Sequence, residues 1–497
     1  MSKQTHELVS AEWGADQTDI HPAWEARTVP AINQTEGWTP GEKTIFRFVF
    51  LYFLIQALPI DGQFFRNLFD FEGSYTRYLF NLSRYAPRFF GPEDTFANWG
   101  VVLLIAAVGT VVWSRREDKQ TNYDSLYYWL RVVLRYRLAL GVIAYGFIKL
   151  FPLQAPLPSI SNLNTPYGDF TAWKLFSLSL GIVPSYESFL GGVELLGGLL
   201  LLHRKTTTIG TLTLLPFLGN VFFSNLAYEG GEYVYSGLLI TFALILFAFD
   251  AVRLFRLLSL ELPAAPNRFQ PVFGEQWQRY GRVALKGAFI LLAVILYGFT
   301  TAQTYRNGSL RFPKTPGLPG VAGLYNVSEF RANGKTIPYS RTDRDDGGTA
   351  GSPERSRPPT RWQDVVFETW NTISIRSNRP VTLVQTNTEQ FPTPDEKRDY
   401  ELAGSQGRQY YRYTVDPSGK RLTLTNANPN QPAETLQLTY TNAGHGRIIL
   451  AGLVERPNSA RPGAAQRDSV YAVLDKINKK YLVDEAAKAG RRGSLKL

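Results

Sequence analysis

Apolar positions gather into seven runs in the first two-thirds of the chain: 43–60, 98–114, 128–152, 185–203, 207–226, 234–256 and 283–302. Roughly 20 apolar residues in helical form cross a bilayer core. The pattern therefore predicts about seven transmembrane helices. The first run opens with Thr39-Pro40-Gly41-Glu42. This is a capping box with proline at the first helical position, so a helix start is expected there. The first two runs are short, and 207–226 with 234–256 forms the clearest pair.

After residue 320 the period changes. Short stretches rich in β-branched and aromatic residues predict strands at Trp362–Thr369, Thr372–Arg376, Val381–Gln385, Tyr410–Val415, Arg421–Thr425, Thr435–Tyr440, Arg447–Leu450 and Val470–Leu474. Asp416-Pro417-Ser418-Gly419 has the chemistry of a hairpin turn, and Asn442-Ala443-Gly444 predicts another. The expected fold is an α-helical integral membrane bundle followed by a small all-β barrel or sandwich, with a lipocalin-like meander as one candidate.

The expected organisation follows from these shifts. Residues 1–42 form a polar segment, and 43–127 carry two accessory helices and a loop. Residues 128–256 form a four-helix core, and 257–302 a loop with the last helix. A Pro/Gly-bearing linker spans 303–320, and 321–497 make the β-rich domain. Within that domain, 340–360 reads as a mobile loop and 484–497 as a frayed tail.

Charge adds an orientation. The chain carries a formal charge of +11. Cations cluster in 114–137 (Arg115, Arg116, Lys119, Arg131, Arg135, Arg137), at Arg204-Lys205 and in 253–286, whereas 153–173 and 227–233 hold no Lys or Arg. Cytoplasmic loops carry the excess of Lys and Arg. The N-terminus is therefore expected in the cytoplasm, and everything after 302 on the other side. Basic residues beside apolar runs point to the lipid bilayer as partner and not to nucleic acid.

Composition excludes some chemistry. With no cysteine, the chain has no disulfide, thiolate nucleophile or thiolate-held metal of its own. His6, His21, His203 and His445 are scattered, and the single methionine is Met1, so no metal site is expected.

Ionisable and amide groups in spanning helices are the candidate functional residues. They are Lys149 near the outer end of the third span, Glu187 and Glu194 on the fourth, and Asn220 and Asn225 on the fifth, which also carries Pro216. Tyr228, Glu229 and Glu232 are expected to form an acidic outer rim. Lys149 either snorkels to the interface or pairs with an acid, and by depth Glu187 is its expected partner. Glu194 lies about two turns deeper and serves either as a hydrogen-bond anchor between helices or as a functional group. Asp250 and Arg253 read as a local ion pair.

Residues 134–256 resemble the DoxX-like membrane protein family. The resemblance is carried by Arg137-Leu138-Ala139-Leu140-Gly141 leading to Gly146-Phe147-Ile148-Lys149, by Phe189-Leu190-Gly191-Gly192-Val193-Glu194-Leu195-Leu196-Gly197-Gly198, and by His203-Arg204-Lys205. Asn225-Leu226-Ala227-Tyr228-Glu229 resembles a segment of longer, Bacteroidetes-type members with extra helices and a soluble tail. The resemblance implies a bacterial inner-membrane protein with a periplasmic β domain. It offers quinone as a ligand, and a membrane or periplasmic protein as partner. The expected role is an accessory or scaffold subunit that binds quinone, lipid or a partner protein. A small-solute or lipid transporter, and a membrane-embedded enzyme with a Lys/Glu acid–base pair, stay open beside it.

Overall fold

The computed structural model describes residues 38–60, 62–69, 75–91, 93–116, 122–155, 157–264, 275–307, 313–339, 360–377, 379, 381–383, 398–399, 401–416, 418–428, 433–457 and 465–483. The expected mobile loop lies outside them except for residue 360. So do the expected frayed tail and the first 37 residues of the expected N-terminal segment.

Helix α1 (Pro40–Ala57) starts where the sequence predicts. The Thr39 side chain accepts from the Glu42 amide, and the Glu42 carboxylate accepts from the Thr39 amide. Two short helices follow, α2 (Gly62–Leu68) and α3 (Tyr75–Ser83). The remaining long helices are α4 (Phe96–Arg115), α5 (Tyr123–Leu150), α8 (Pro184–Leu201), α9 (Thr207–Ala227), α10 (Tyr233–Leu258) and the continuous α11 (Gln276–Arg306). Between α5 and α8 lie the one-turn α6 (Ile160–Leu163) and α7 (Ala172–Ile182). The helices α4, α9, α10 and α11 are long and apolar enough to cross a membrane.

Side-chain contacts give the direction of each helix. Arg47 at the start of α1 reaches Ser114 at the end of α4 and Tyr123 at the start of α5. Thr208 at the start of α9 donates to Asp250 near the end of α10, 2.6 Å away. Tyr297 of α11 donates to the carbonyl of Ala144, and Phe151 meets the ring of Tyr305. The long helices thus alternate in direction. The ends of α5, α9 and α11 lie at the same end of the bundle as the starts of α8 and α10.

Glycine sets the central crossing. A Cβ at Gly191 would lie 2.2 Å from the Leu150 amide nitrogen and 2.6 Å from the Gly146 carbonyl oxygen. The backbones of α5 and α8 therefore touch, and small residues are what such contact requires.

The strands are β1 (Gly323–Ala332), β2 (Lys335–Thr336), β3 (Trp362–Phe367), β4 (Thr372–Ser377), β5 (Gln409–Val415), β6 (Arg421–Asn426), β7 (Thr435–Gly444), β8 (Arg447–Pro457) and β9 (Ala465–Ile477). All pairings are antiparallel, and β1 pairs with both β3 and β9, which closes an eight-stranded up-and-down barrel. The two-residue β2 adds only a short hairpin to β1. Residues two apart share a sheet face. Ile373 and Ile375, Tyr411 and Tyr413, Leu422 and Leu424, and Leu436 and Leu438 accordingly fill one packed interior. The domain is a barrel and not a sandwich.

Two strand expectations are corrected. Gly323–Ala332 forms a strand that the sequence pattern does not mark, and Val381–Leu383 carries no ladder, while 384–385 lie outside the described residues. The stretch after Pro313 also packs on the barrel: the Gly317 amide donates to the Thr369 carbonyl, and the Leu318 amide to the Tyr413 hydroxyl.

Candidate functional site

Helix α5 carries a polar stripe at four-residue spacings: Arg137, Tyr145 and Lys149, with Gly141 between the first two. That spacing keeps them on one face. The face turns into the bundle and meets α8, α10 and the chain that follows α3.

Lys149 pairs with Glu194, not with Glu187. The Lys149 Nζ to Glu194 Oε2 distance is 2.6 Å, and both side chains are buried. The cause is the Gly146–Gly191 contact, which sets the register of α5 against α8 and brings Glu194 level with Lys149. Glu187 is also buried, but it accepts from the backbone amides of Gln154 and Ala155, where the chain leaves α5. It fastens the exit of that helix.

The Lys149 ammonium lies 5.6 Å from the centre of the Tyr145 ring and 5.3 Å from that of Phe217. The Tyr145 hydroxyl donates to Glu232, and Arg84 binds both oxygens of the same carboxylate at 2.6 Å. Glu232 is therefore bound within the network instead of standing free in an acidic rim. Arg137 is not a loop cation: it sits inside α5, is 3 % exposed, and donates to the carbonyls of Ser83 and Tyr85 and to the Tyr235 hydroxyl. It holds the chain leaving α3 against the core. Sequence reading missed Arg84, Arg137, Tyr145 and Tyr235 as one group. The repeat of four on α5 was the signal available.

The amides of α9 do not join this group. Asn225 is buried and donates to its own helix at Val221. Asn220 is exposed on the outer face of α9. Tyr228 and Glu229 are exposed at its end, with Tyr228 stacked on Phe176. Asp250 and Arg253 form the expected local pair, at 4.0 Å.

A second polar cluster joins the barrel to the segment between α5 and α7. Glu368, just after β3, accepts from the amides of Ile160 and Ser161 and from the Ser161 hydroxyl. Arg408, fully buried, spans Asp364, Ser374 and the Asn164 carbonyl. The Asn162 side chain donates to the Glu401 carbonyl, and Trp370 donates to the Glu401 carboxylate. The Thr171 amide donates to the Gly404 carbonyl, and the Gln406 amide to that of Asp169.

No family model, curated protein or solved structure matches this chain.

Burial of this second cluster displaces two titrations. It pushes the Glu368 carboxyl up to about 7, against the hydrogen bonds from Ser161 and Ile160, and draws the ammonium of Lys174, buried on α7, down to about 8 against the opposing pull of the Glu401 and Asp399 carboxylates. The docked barrel therefore favours protonated Glu368. The stabilising effect is full below the ordinary value of 4.5 and is lost as pH rises through about 7. Lys174 acts in a separate window: its neutral form is favoured in the fold, so stability is lost as pH falls from 10.5 through about 8. Between pH 5 and 8, the melting midpoint of the barrel is expected to fall with rising pH, and Glu368→Gln should flatten that slope. Calorimetry of both proteins over the range checks it, and equal slopes would reject Glu368 as the group responsible.

Proposed function

We propose that this chain is a DoxX-like membrane accessory or scaffold protein, which holds a rigid β-barrel against the non-cytoplasmic face of a seven-helix bundle. The observation that carries this reading is the buried polar docking of Glu368 and Arg408 against residues 160–164. A barrel on a loose tether would be a passive passenger. Here the barrel and the outer loop share hydrogen bonds, so the barrel's exposed surface has a fixed orientation relative to the bilayer. Partners that meet it are thereby positioned over the helices.

Several features support the accessory reading over its alternatives. The barrel interior is filled by side chains. Lys149 and Glu194 neutralise one another inside the bundle. Asn220 is exposed and Asn225 donates to its own helix, so neither hydrogen-bonds to that pair. Docking of the barrel on 157–171, the loop without cations, agrees with the orientation read from loop charge, in a bacterial inner membrane with a periplasmic barrel. Quinone or lipid would bind the helical part, as the resemblance implies.

The test uses the absence of native cysteine. Ser418→Cys sits on an exposed barrel turn, and Lys205→Cys at the opposite end of the bundle. A membrane-impermeant maleimide should label the first in intact spheroplasts and the second only after lysis. The reverse result would overturn the orientation. A photo-crosslinker at exposed Leu453 of β8 should then capture a discrete partner in cells. If no partner is captured, and the purified protein carries neither quinone nor lipid, the accessory role fails.

A further inference from the structure

Helix α9 presents two opposite kinds of asparagine. Asn225 is buried, and its side-chain nitrogen donates to the Val221 carbonyl of its own helix. Asn220 is exposed, and among the described residues it makes no hydrogen bond. It lies seven residues inside the Ala227 end of the helix, about 10 Å along the axis. That depth is within the hydrocarbon of a bilayer about 30 Å thick. An asparagine amide offers two N–H donors and a carbonyl acceptor. Acyl chains satisfy none of these, so such a group in contact with lipid is strongly unfavourable.

The rest of the face repeats the message. Ile209, Leu212, Pro216, Asn220, Phe223 and Ala227 follow one another at three- and four-residue steps, and all are exposed. Pro216 has no amide hydrogen, so the carbonyl four residues earlier, on Leu212, lacks its helical donor. A second polar group thus opens on the same outward face. Gly219 lies beside Asn220, and a Cβ built there would have nothing within 4 Å. The flank of α9 is open to a close approach by another helix.

We propose that α9 packs against α9 of a second copy of this chain, across a two-fold axis normal to the bilayer, with Asn220 opposite Asn220. An amide is its own complement: each can donate to the carbonyl of the other, which is the arrangement a two-fold produces. An axis normal to the bilayer is the one that keeps both copies in the same orientation. A heterologous partner would need an independent donor–acceptor pair at matching depth. A second copy supplies one by symmetry. The pairing rests on the reading that α9 lies in the bilayer.

Oxidative crosslinking in native membranes tests it. Phe223→Cys, one turn from Asn220 on the same exposed face, should give a species of twice the chain mass, and Leu244→Cys, on the exposed face of α10, should not. In mild detergent, Asn220→Leu should lower the dimer association constant about tenfold, in line with the strength of interhelical hydrogen bonds in membranes. Asn220→Gln should retain part of it. Unchanged helical circular dichroism and an unchanged SDS unfolding midpoint would show that Asn220→Leu still folds. The proposal is overturned if membrane-bound Phe223→Cys stays monomeric under oxidation, if it crosslinks to a different protein, or if Asn220→Leu associates like the parent. Release of the protein by alkaline carbonate would instead remove the membrane reading of α9, and the pairing with it.

Discussion

Lys149→Met is expected to destabilise the helical bundle by about 3–5 kcal/mol, the usual effect of breaking a buried ion pair from one side. Glu194 is the reason. Its carboxylate is 3 % exposed in the side chain, and its hydrogen bond in the structure is to Lys149 Nζ at 2.6 Å. Methionine fills much of the lysine's volume, so packing is nearly kept while the charge is stranded. The double variant Lys149→Met/Glu194→Leu should recover most of the loss, because it removes the stranded charge as well. Unfolding of the three proteins by SDS titration in mixed micelles, followed by circular dichroism, gives the comparison. A single variant as stable as the parent would mean that Glu194 finds water or another donor. A double variant no better than the single one would assign the loss to packing.

Gly191→Ala carries the second large effect. The added methyl meets the Leu150 nitrogen at 2.2 Å and the Gly146 oxygen at 2.6 Å, and neither atom can rotate aside because both are backbone. The helices α5 and α8 have to move apart, which loosens the Lys149–Glu194 pair at the same crossing. The expected loss is about 3 kcal/mol, the upper end of overpacking penalties, and the pair adds to it. The adjacent Gly192 is the control, since a Cβ there would meet nothing within 4 Å. Gly192→Ala should be neutral or slightly stabilising, because alanine restricts the unfolded chain. Equal effects at both positions would show that helix propensity, and not the crossing, is being measured.

Elements governed by local chemistry were readable in the sequence. The Thr39–Glu42 box starts α1 because both of its hydrogen bonds lie within one turn. The pairs Leu422–Leu424 and Leu436–Leu438 announce strands because the period of two needs only neighbours. The strand β1 escaped because its register shifts between Val327 and Glu329 where it pairs with β9, and such a shift breaks the alternation that marks a strand. At the site, the depth of a residue along its own helix was legible, and so was its cost to the bilayer. Lys149, Glu187 and Glu194 all stand out on that basis. Which acid meets the lysine depends on the offset between two helices, and that is fixed by glycine contact at 146 and 191. Arg137 looked like a loop cation because a charged residue within α5 is indistinguishable in sequence from one just before it. The docking of Glu368 on Ser161 joins residues 207 apart, beyond the reach of any local pattern.

That last contact also bears on the order of assembly. The loop between α5 and α7 is made early, yet its partners Glu368, Glu401 and Arg408 leave the ribosome some 200 residues later. During that interval Ser161 and Asn162 lack the partners that they have in the finished fold. Arrival of the barrel buries that loop, which makes the last domain synthesised the closing step for a segment near the first third of the chain.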